Sequence, residues 1–402
     1  MMLLVFFISL LFVFCLVSGR LEKTIITGPI LFTSAGILVS PLLSSGMDSL
    51  HSGVFLTLAE VGLVLLLFTD ASRTDLKILR DIRALPARLL SVGMLLTILL
   101  GAIAAKAIFP QLTIWEAGIL SAILAPTDAG LGQIIVNSPI VPMRVRQALN
   151  VEAGLNDGLS VPFMLFFIAM AASESGDASF ARFAWEQLGL GLLVGGAIGL
   201  LGGWVLSVAK RSDWMAESFL QIAVLALPVF CLIASEATGA SMFIAAFVAG
   251  LFVQVGFKDA GKHSVEFTEE WGQVINLSVF FLFGMMVSRE HGIFTFGPII
   301  YAVLSLTIIR MLPVAISLSG SGINKATIAF IGWFGPRGLA SIVLGLVYLE
   351  QEKHLPGEHT TRLAVMATVL LSIFAHGLSA LPGIRLYSRL VGRPDETRPG
   401  VL

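Results

Sequence analysis

Glu152, Asn156 and Asp157 stand in the middle of QALNVEAGLNDGLSVPFMLFF, residues 147–167, a run otherwise apolar and long enough to cross a bilayer. A carboxylate near the bilayer centre costs about 2.5–3.5 kcal/mol on insertion scales, so two within six residues point to a task rather than to packing. At about 100° per residue, Glu152 and Asn156 lie one above the other, whereas Asp157 lies about 140° around the axis from Glu152. The two acids therefore face different neighbours. Gly154 and Gly158 form a small-residue face that admits a second helix closely, and Asp157 borders it. Pro162 has no N–H to give the carbonyl of Gly158. A carboxylate, an amide and a freed carbonyl make an oxygen set suited to a hard cation; the alternative is a buried polar network that only pins helices together.

Two further stretches carry charge where a helix must break. Ala125-Pro126-Thr127-Asp128-Ala129-Gly130 interrupts one apolar run, and Gly335-Pro336-Arg337-Gly338 interrupts another. Pro126 abandons the carbonyl of Ala122 and Pro336 that of Gly332. Each proline suits the first turn of a new half-helix, which would put Asp128 in that turn, at the positive end of the dipole, and Arg337 beside the matching break. Arg310 lies within a span ahead of Pro313 and requires a carboxylate or a ring of carbonyls; Asp128, Glu152 and Asp157 are the acids available. Glu60, in LAEVGLVLLLF, reads equally well as a site ligand or as a residue near the interface. His376 reads as a hydrogen-bonded packing residue rather than a proton relay, and Lys106 and Glu236 as residues near span ends. Asp70, Arg73, Asp75, Lys77, Arg80 and Arg83 read as a solvated connection.

The elements that must hold these residues follow from composition. The chain has 402 residues, 56% hydrophobic and only 13% charged, with a mean hydropathy of +0.92; soluble domains carry about 25% charged residues. The chain is therefore expected to be an all-α integral membrane protein with the lipid bilayer as its partner. A net charge of -1 speaks against a nucleic-acid partner. Cys15 and Cys231 both fall in apolar runs and suggest no disulfide framework. The glycines of GLLVGGAIGLLGGW read as helix packing rather than phosphate binding; with no P-loop and no His/Cys cluster, an enzyme or a bound cofactor is not expected.

Thirteen apolar runs can span, the first near 3–18 and the last near 363–382. The first lacks the basic flank and cleavage site of a signal peptide and is kept as a spanning helix. Of the 25 Lys and Arg, 18 fall in the odd-numbered connections and the C-terminal tail and 4 in the even-numbered ones, which places the N-terminus outside and the C-terminus in the cytoplasm. Residues 1–384 then form one membrane transporter domain, spans 1–6 and 8–13 being inverted repeats around linker span 7, with 385–402 as a short cytoplasmic tail. The two Pro-Gly-interrupted spans, 5 and 12, occupy corresponding positions in the two repeats, the sequence pointer to a transporter's substrate site.

At APTDAGLGQ and VEAGLNDG, followed by Arg310 and GPRGLAS, the chain resembles the prokaryotic monovalent cation:proton antiporters, nearest the branch with an Asn-Asp pair. GASMFIAAFVAGLFV, residues 239–253, is similar to that family as well. The resemblance implies a homodimer with a mobile six-helix core and two broken helices crossing beside the ion. It implies that Asp157 binds cation and proton in turn, with Asn156 beside it, and that Thr127 and Asp128 supply a backbone oxygen and dipole compensation. Asp157 and Thr127 would hold Na+. Glu152 is similar to an acid that pairs with an arginine, here expected to be Arg337. Electrogenic relatives carry Asp-Asp and often a Lys where Arg310 stands. The chain departs from some of these relatives in placing Ala153 where they carry a hydroxyl residue that helps to bind the ion.

The expected function is exchange of a monovalent cation, Na+ first and Li+ or K+ next, for H+ across the cell (inner) membrane in service of pH homeostasis. Burial favours the protonated form of a carboxylate and a bound cation the ionised one, so one acid can hold either. A single site carboxylate beside neutral Asn156 implies 1:1 electroneutral exchange. The alternative classes are a cation channel and a cation-coupled symporter on a related inverted-repeat fold.

Overall fold

Hydrocarbon offers backbone groups no hydrogen bonds, so a chain this apolar must satisfy them within helices. The computed structural model describes residues 2–21, 24–43, 52–73, 84–174, 185–258, 260–349 and 355–391, and among these there is no strand. Asp75, Lys77, Arg80 and Arg83 and residues 392–402 of the expected tail lie outside the described residues.

In chain order the helices are α1 (Met2–Leu21), α2 (Gly28–Val39), α3 (Ser52–Arg73), α4 (Leu85–Ile108), α5 (Ile114–Ile123), α6 (Ala129–Val136), α7 (Met143–Glu174), α8 (Trp185–Arg211), α9 (Glu217–Thr238), α10 (Met242–Gly256), α11 (Ala260–Val287), α12 (Phe296–Leu306), α13 (Ile308–Ser317), α14 (Lys325–Trp333), α15 (Leu339–Leu349) and α16 (Glu358–Val391). Each apolar run coincides with a helix or with a pair of half-helices. Among the described residues seven helical segments, α12 and α13 counted together as one, are long and apolar enough to cross a membrane; α5, α6, α14 and α15 are each half of a more widely interrupted span. Pro162 sits inside an unbroken α7.

Two differences from the sequence reading concern helix ends. The run holding Arg310 is also interrupted, at Thr307 (φ -111°, ψ -93°), where the Thr307 N–H is shared between the carbonyls of Val303 and Leu304 and its hydroxyl donates to Val303 at 2.6 Å. And α16 continues through the expected tail boundary at 385 to Val391. Tertiary contact sustains that extension: Tyr387 is buried, its ring lies 4.3 Å from that of Phe330, and its hydroxyl is 2.9 Å from Thr327 Oγ1. Lys106 hooks over the end of α4, donating to Pro110 O at 2.9 Å, as a lysine near a span end does to keep its charge out of hydrocarbon.

The helices pack as two groups. α2, α3, α8, α9, α10 and α11 contact mainly one another, and α4 to α7 with α12 to α16 form the other group; α3, α10 and α11 make the boundary against α7 and α15. Glycine seams knit the first group. A Cβ at Gly195, Gly199 or Gly203 of α8 would run into backbone atoms of Ala245, Ala249 or Val253 on α10, whereas one at Gly196 would meet nothing. The sequence reading of these glycines as packing surface is thus correct, with α10 as the partner. Without water to drive helices together, such close backbone approach is what holds them. Gly195→Ala is therefore expected to lower the unfolding temperature of detergent-purified protein, and Gly196→Ala to leave it within a degree or so. Equal effects of the two would remove the seam from the account of stability.

Candidate ion-binding site

The site grows from the two interrupted spans. α5 opens with a capping box, in which Glu116 N donates to Thr113 Oγ1 at 3.1 Å and Thr113 N to Glu116 Oε2 at 2.8 Å, and it stops at Ile123. α6 begins only at Ala129, with Asp128 as its N-cap accepting from Leu131 N at 2.8 Å. Asp128 therefore lies ahead of the half-helix rather than inside its first turn, because a capping carboxylate can accept from the orphan N–H groups only from outside the helix. The second span behaves alike: α14 ends at Trp333 and α15 begins at Leu339. Pro126 and Pro336 thus sit in non-helical segments, 124–128 and 334–338, and not at the first helical position.

These two segments meet. Asp128 N donates to Pro336 O at 2.8 Å, and Asp128 Oδ2 accepts from Leu339 N at 2.5 Å. One carboxylate thus caps both half-helices, whose positive ends converge on it. Arg337, 0% exposed, donates through Nη1 to the carbonyls of Ala125 at 2.8 Å and Pro126 at 2.9 Å. Ser341 Oγ donates to Ile123 O at 2.9 Å. In a continuous helix the Arg337 N–H would serve Trp333 O; here it donates to Ser372 Oγ at 2.7 Å, while His376 Nε2 donates to Trp333 O at 2.9 Å. That tautomer leaves Nδ1, 3.0 Å from Ser372 Oγ, to accept the serine proton. His376 and Ser372, one turn apart on α16, replace the hydrogen bond that the break opens. This is the hydrogen-bonded packing role.

α7 supplies the remaining groups. The structure corrects the expected partner of Glu152: it pairs with Arg310 and not Arg337. Arg310 Nη1 and Nη2 donate to the two carboxylate oxygens at 2.6 and 2.9 Å, with both residues buried. A guanidinium presents two parallel donors to a carboxylate only when it lies in plane with it; the interruption at Thr307 brings Arg310 to that position, while Arg337 is drawn to the carbonyls that the first break exposes. Removing either partner of a buried pair strands a charge, at about 3–5 kcal/mol. Glu152→Gln and Arg310→Met are each expected to destabilise the purified protein by that order, and the double variant by clearly less than their total. Strict additivity in thermal or denaturant unfolding would show that the pair is not coupled.

Asn156 Nδ2 donates to Thr127 Oγ1 at 2.7 Å, tying α7 to the first break. Asp157, 5% exposed, is different. Its backbone carbonyl accepts from Ser160 Oγ at 2.8 Å, but its Oδ1, like Asn156 Oδ1, is buried with no hydrogen-bond partner among the described residues. The neighbouring Gly158 faces Phe247 of α10, which a Cβ there would strike. As the 140° offset requires, Glu152 faces α13 in its own group and Asp157 the boundary with the other.

The structure adds a residue that the sequence reading left in a solvated connection. Asp70 belongs to α3, and its Cβ and Cγ lie 3.4 and 3.8 Å from where a Cβ on Gly154 would stand. It extends the buried stripe of Leu63 and Leu67 by one i+3 step, and that spacing was the available signal. Glu60, half-buried, is ten residues earlier on α3, about 15 Å along the axis, so the α3 carboxylate beside α7 is Asp70. A crevice of about 310 Å³ between α6 and the first turns of α7 reaches this region, lined among others by Thr127, Asp128, Gly132, Asn150 and Ala153.

Comparison with known proteins agrees with this architecture. The profile of the family described as sodium/hydrogen exchanger, transmembrane, matches residues 6–383. The chain is 27% identical over 287 residues to the K(+)/H(+) antiporter NhaP2 of Shewanella sp. (strain ANA-3), covering 68% of this chain and 47% of that protein, so the chain spans about half the length of this relative. It is 25% identical over 394 residues to the K(+)/H(+) antiporter NhaP of Alkalimonas amylolytica, covering 96% of this chain and 66% of that one. Its fold matches the structure of the sodium proton antiporter MjNhaP1 from Methanocaldococcus jannaschii at pH 8, with a TM-score of 0.72 at 19% identity, over 94% of this chain and 98% of that chain. With the profile running through nearly the whole of its membrane part, the chain belongs to the transmembrane sodium/hydrogen exchanger family.

Proposed function

We propose that the chain exchanges a monovalent cation for H+ across the cell membrane, 1:1 and without net charge movement, with Asp157 as the shared carrier. The observation that carries this reading is the contrast between two acids at one crossing. Asp128 spends its oxygens on the two half-helix ends, while Asp157 keeps a buried oxygen with no donor. A carboxylate oxygen without a protein donor in a dry site binds either a proton or a cation, and each expels the other because both need the same atoms. Carrying the bare carboxylate through hydrocarbon is expensive, so the site changes face only when occupied. Relatives named as K(+)/H(+) and sodium proton antiporters support the reaction class.

In this reading Thr127, whose hydroxyl accepts from Asn156 Nδ2, offers its backbone oxygen to the ion, as the family resemblance implies, and Ala153 offers none from its side chain. Na+ is the first candidate, with K+ and Li+ next. The orientation, N-terminus outside and C-terminus in the cytoplasm, rests on the arginine and lysine distribution, and the homodimer on the family resemblance. The test is purified protein in vesicles holding a pH dye, pulsed with NaCl, KCl or LiCl. Alkalinisation of the lumen as the pulsed cation enters and H+ leaves, or acidification on the opposite gradient, is expected. A pH change of the opposite sign would make it a symporter, and turnover rising strongly with imposed voltage would overturn 1:1 stoichiometry.

A further inference from the structure

The reading so far draws every ion ligand from the group of helices that carries the two breaks. α11, in the other group, places a side chain against the start of α6. Its C-terminal half is apolar where it crosses α2 and α3: Gly36 packs on the Phe281 carbonyl, Gly284 on Thr33, and Gly62 against Ile275. Asn276 interrupts this surface, next to Ser278, whose hydroxyl is used on its own helix at Val274 O, 2.7 Å away. Asn276 turns to the break instead. The position a Cβ on Gly130 would take lies 3.0 Å from Asn276 Nδ2 and 3.1 Å from Asp128 Oδ1, so the amide and the capping carboxylate flank the start of α6 together. The other end of the amide, Oδ1, is buried and has no hydrogen-bond partner among the described residues.

An unmet amide oxygen in a dry site costs about 1–3 kcal/mol, and polar groups inside membrane spans are kept for function more often than for packing. Asn156 Oδ1 and Asp157 Oδ1 share the same condition. Carbonyl-type oxygens of this kind are good substitutes for the water shell of a desolvated monovalent cation, and α7 and α11 each carry at least one that lacks a donor. The amide orientation also follows, since Nδ2 lies on the side of the Asp128 carboxylate and leaves the oxygen for the ion.

We propose that Asn276 is a ligand of the transported cation and helps set its selectivity, so that the ion is held jointly by the two helix groups. The proposal rests on the reading of the Asp128–Asp157 region as the cation site. A ligand from the opposite group has a consequence for transport. If the broken-helix group moves against the other, Asn276 leaves the ion in one of the two states, and the two faces then differ in affinity.

Asn276→Ala, Asn276→Gln and Asn276→Asp would be compared with the natural protein in two measurements. In dye-loaded vesicles, Asn276→Ala is expected to raise the apparent KM for cation at least five-fold, to alter the ratio of KM for Na+ and K+, and to leave the maximal rate within two-fold; Asn276→Asp, with an added charge, should lower KM. In detergent, the midpoint concentration at which NaCl or KCl raises the unfolding temperature above a choline chloride control should shift in the same order. The second measurement needs no transport. If the natural protein moves no protons on any cation pulse, the exchange reading fails, and the melting midpoints still decide the ligand. Midpoints and KM values within two-fold of the natural protein for Asn276→Ala and Asn276→Asp, or no cation-dependent stabilisation of the natural protein, would overturn the assignment.

Discussion

Asp157→Asn is expected to reduce cation-driven proton movement to the level of protein-free vesicles for Na+, K+ and Li+ alike, while leaving the protein as stable as before or more so. Asparagine keeps the size and one acceptor of aspartate but neither ionises nor releases a proton. The stability prediction follows from Oδ1 having no donor: an amide removes a buried charge without stranding any partner, the opposite of what happens at a paired site. Asp128→Asn separates the two roles. There the carboxylate accepts from Leu131 N and Leu339 N, and an amide can keep only one of these bonds without turning its NH2 toward a donor. Loss of transport at Asp128 should therefore come with a lower unfolding temperature, and at Asp157 without one. The check is dye-loaded vesicles for rate and thermal unfolding in detergent for stability, on the same preparations. Ordinary exchange by Asp157→Asn would remove it as carrier. A stability loss at Asp157 as large as that at Asp128 would make it a structural acid.

The second large effect is expected at Gly338. A Cβ there would occupy the space of Asp128 Oδ2, the atom that accepts from Leu339 N and so joins the two breaks. Aspartate cannot retreat without abandoning one cap, so Gly338→Ala must either push the segments apart or expose the N-terminus of α15. Overpacking of this kind costs about 1–3 kcal/mol in stability, and the functional loss should be larger, ten-fold or more in rate, because the crossing sets the ion geometry directly. Gly132→Ala is the matched control: it lies in the same glycine-rich stretch, yet a Cβ there would meet nothing within 4 Å. Rates are read in vesicles at saturating NaCl and KCl. If both variants exchange at the natural rate, close approach at the crossing is not required for transport.

The spans and the charged positions were legible in the sequence because the bilayer imposes a severe rule: long apolar runs must be helices, and charges inside them stand out. The same rule made 147–167 conspicuous. Local chemistry also located the breaks to within a few residues, though Asp128 proved to be a cap outside its half-helix, since the preference of proline for a first turn yielded to the preference of a carboxylate for the N-cap. The interruption at Thr307 and the continuation of α16 to Val391 were not legible, because packing against other helices decides them.

Which acid meets which arginine belongs to the tertiary structure. Helical periodicity separated the faces of Glu152 and Asp157 but could not tell Arg310 from Arg337, which lie 27 residues apart in the chain and converge only when α13 and the second break fold against α7. Asp70 and Asn276 were passed over for a related reason. One stands at the end of its span and the other is a lone amide, and neither is unusual until α3 and α11 are seen against Gly154 and Gly130. The amino-acid order determined where charge enters the membrane and where the helices must stop; the packing of the two helix groups decided which of those charges are satisfied. Among the groups that packing leaves unmet is a buried oxygen of Asp157.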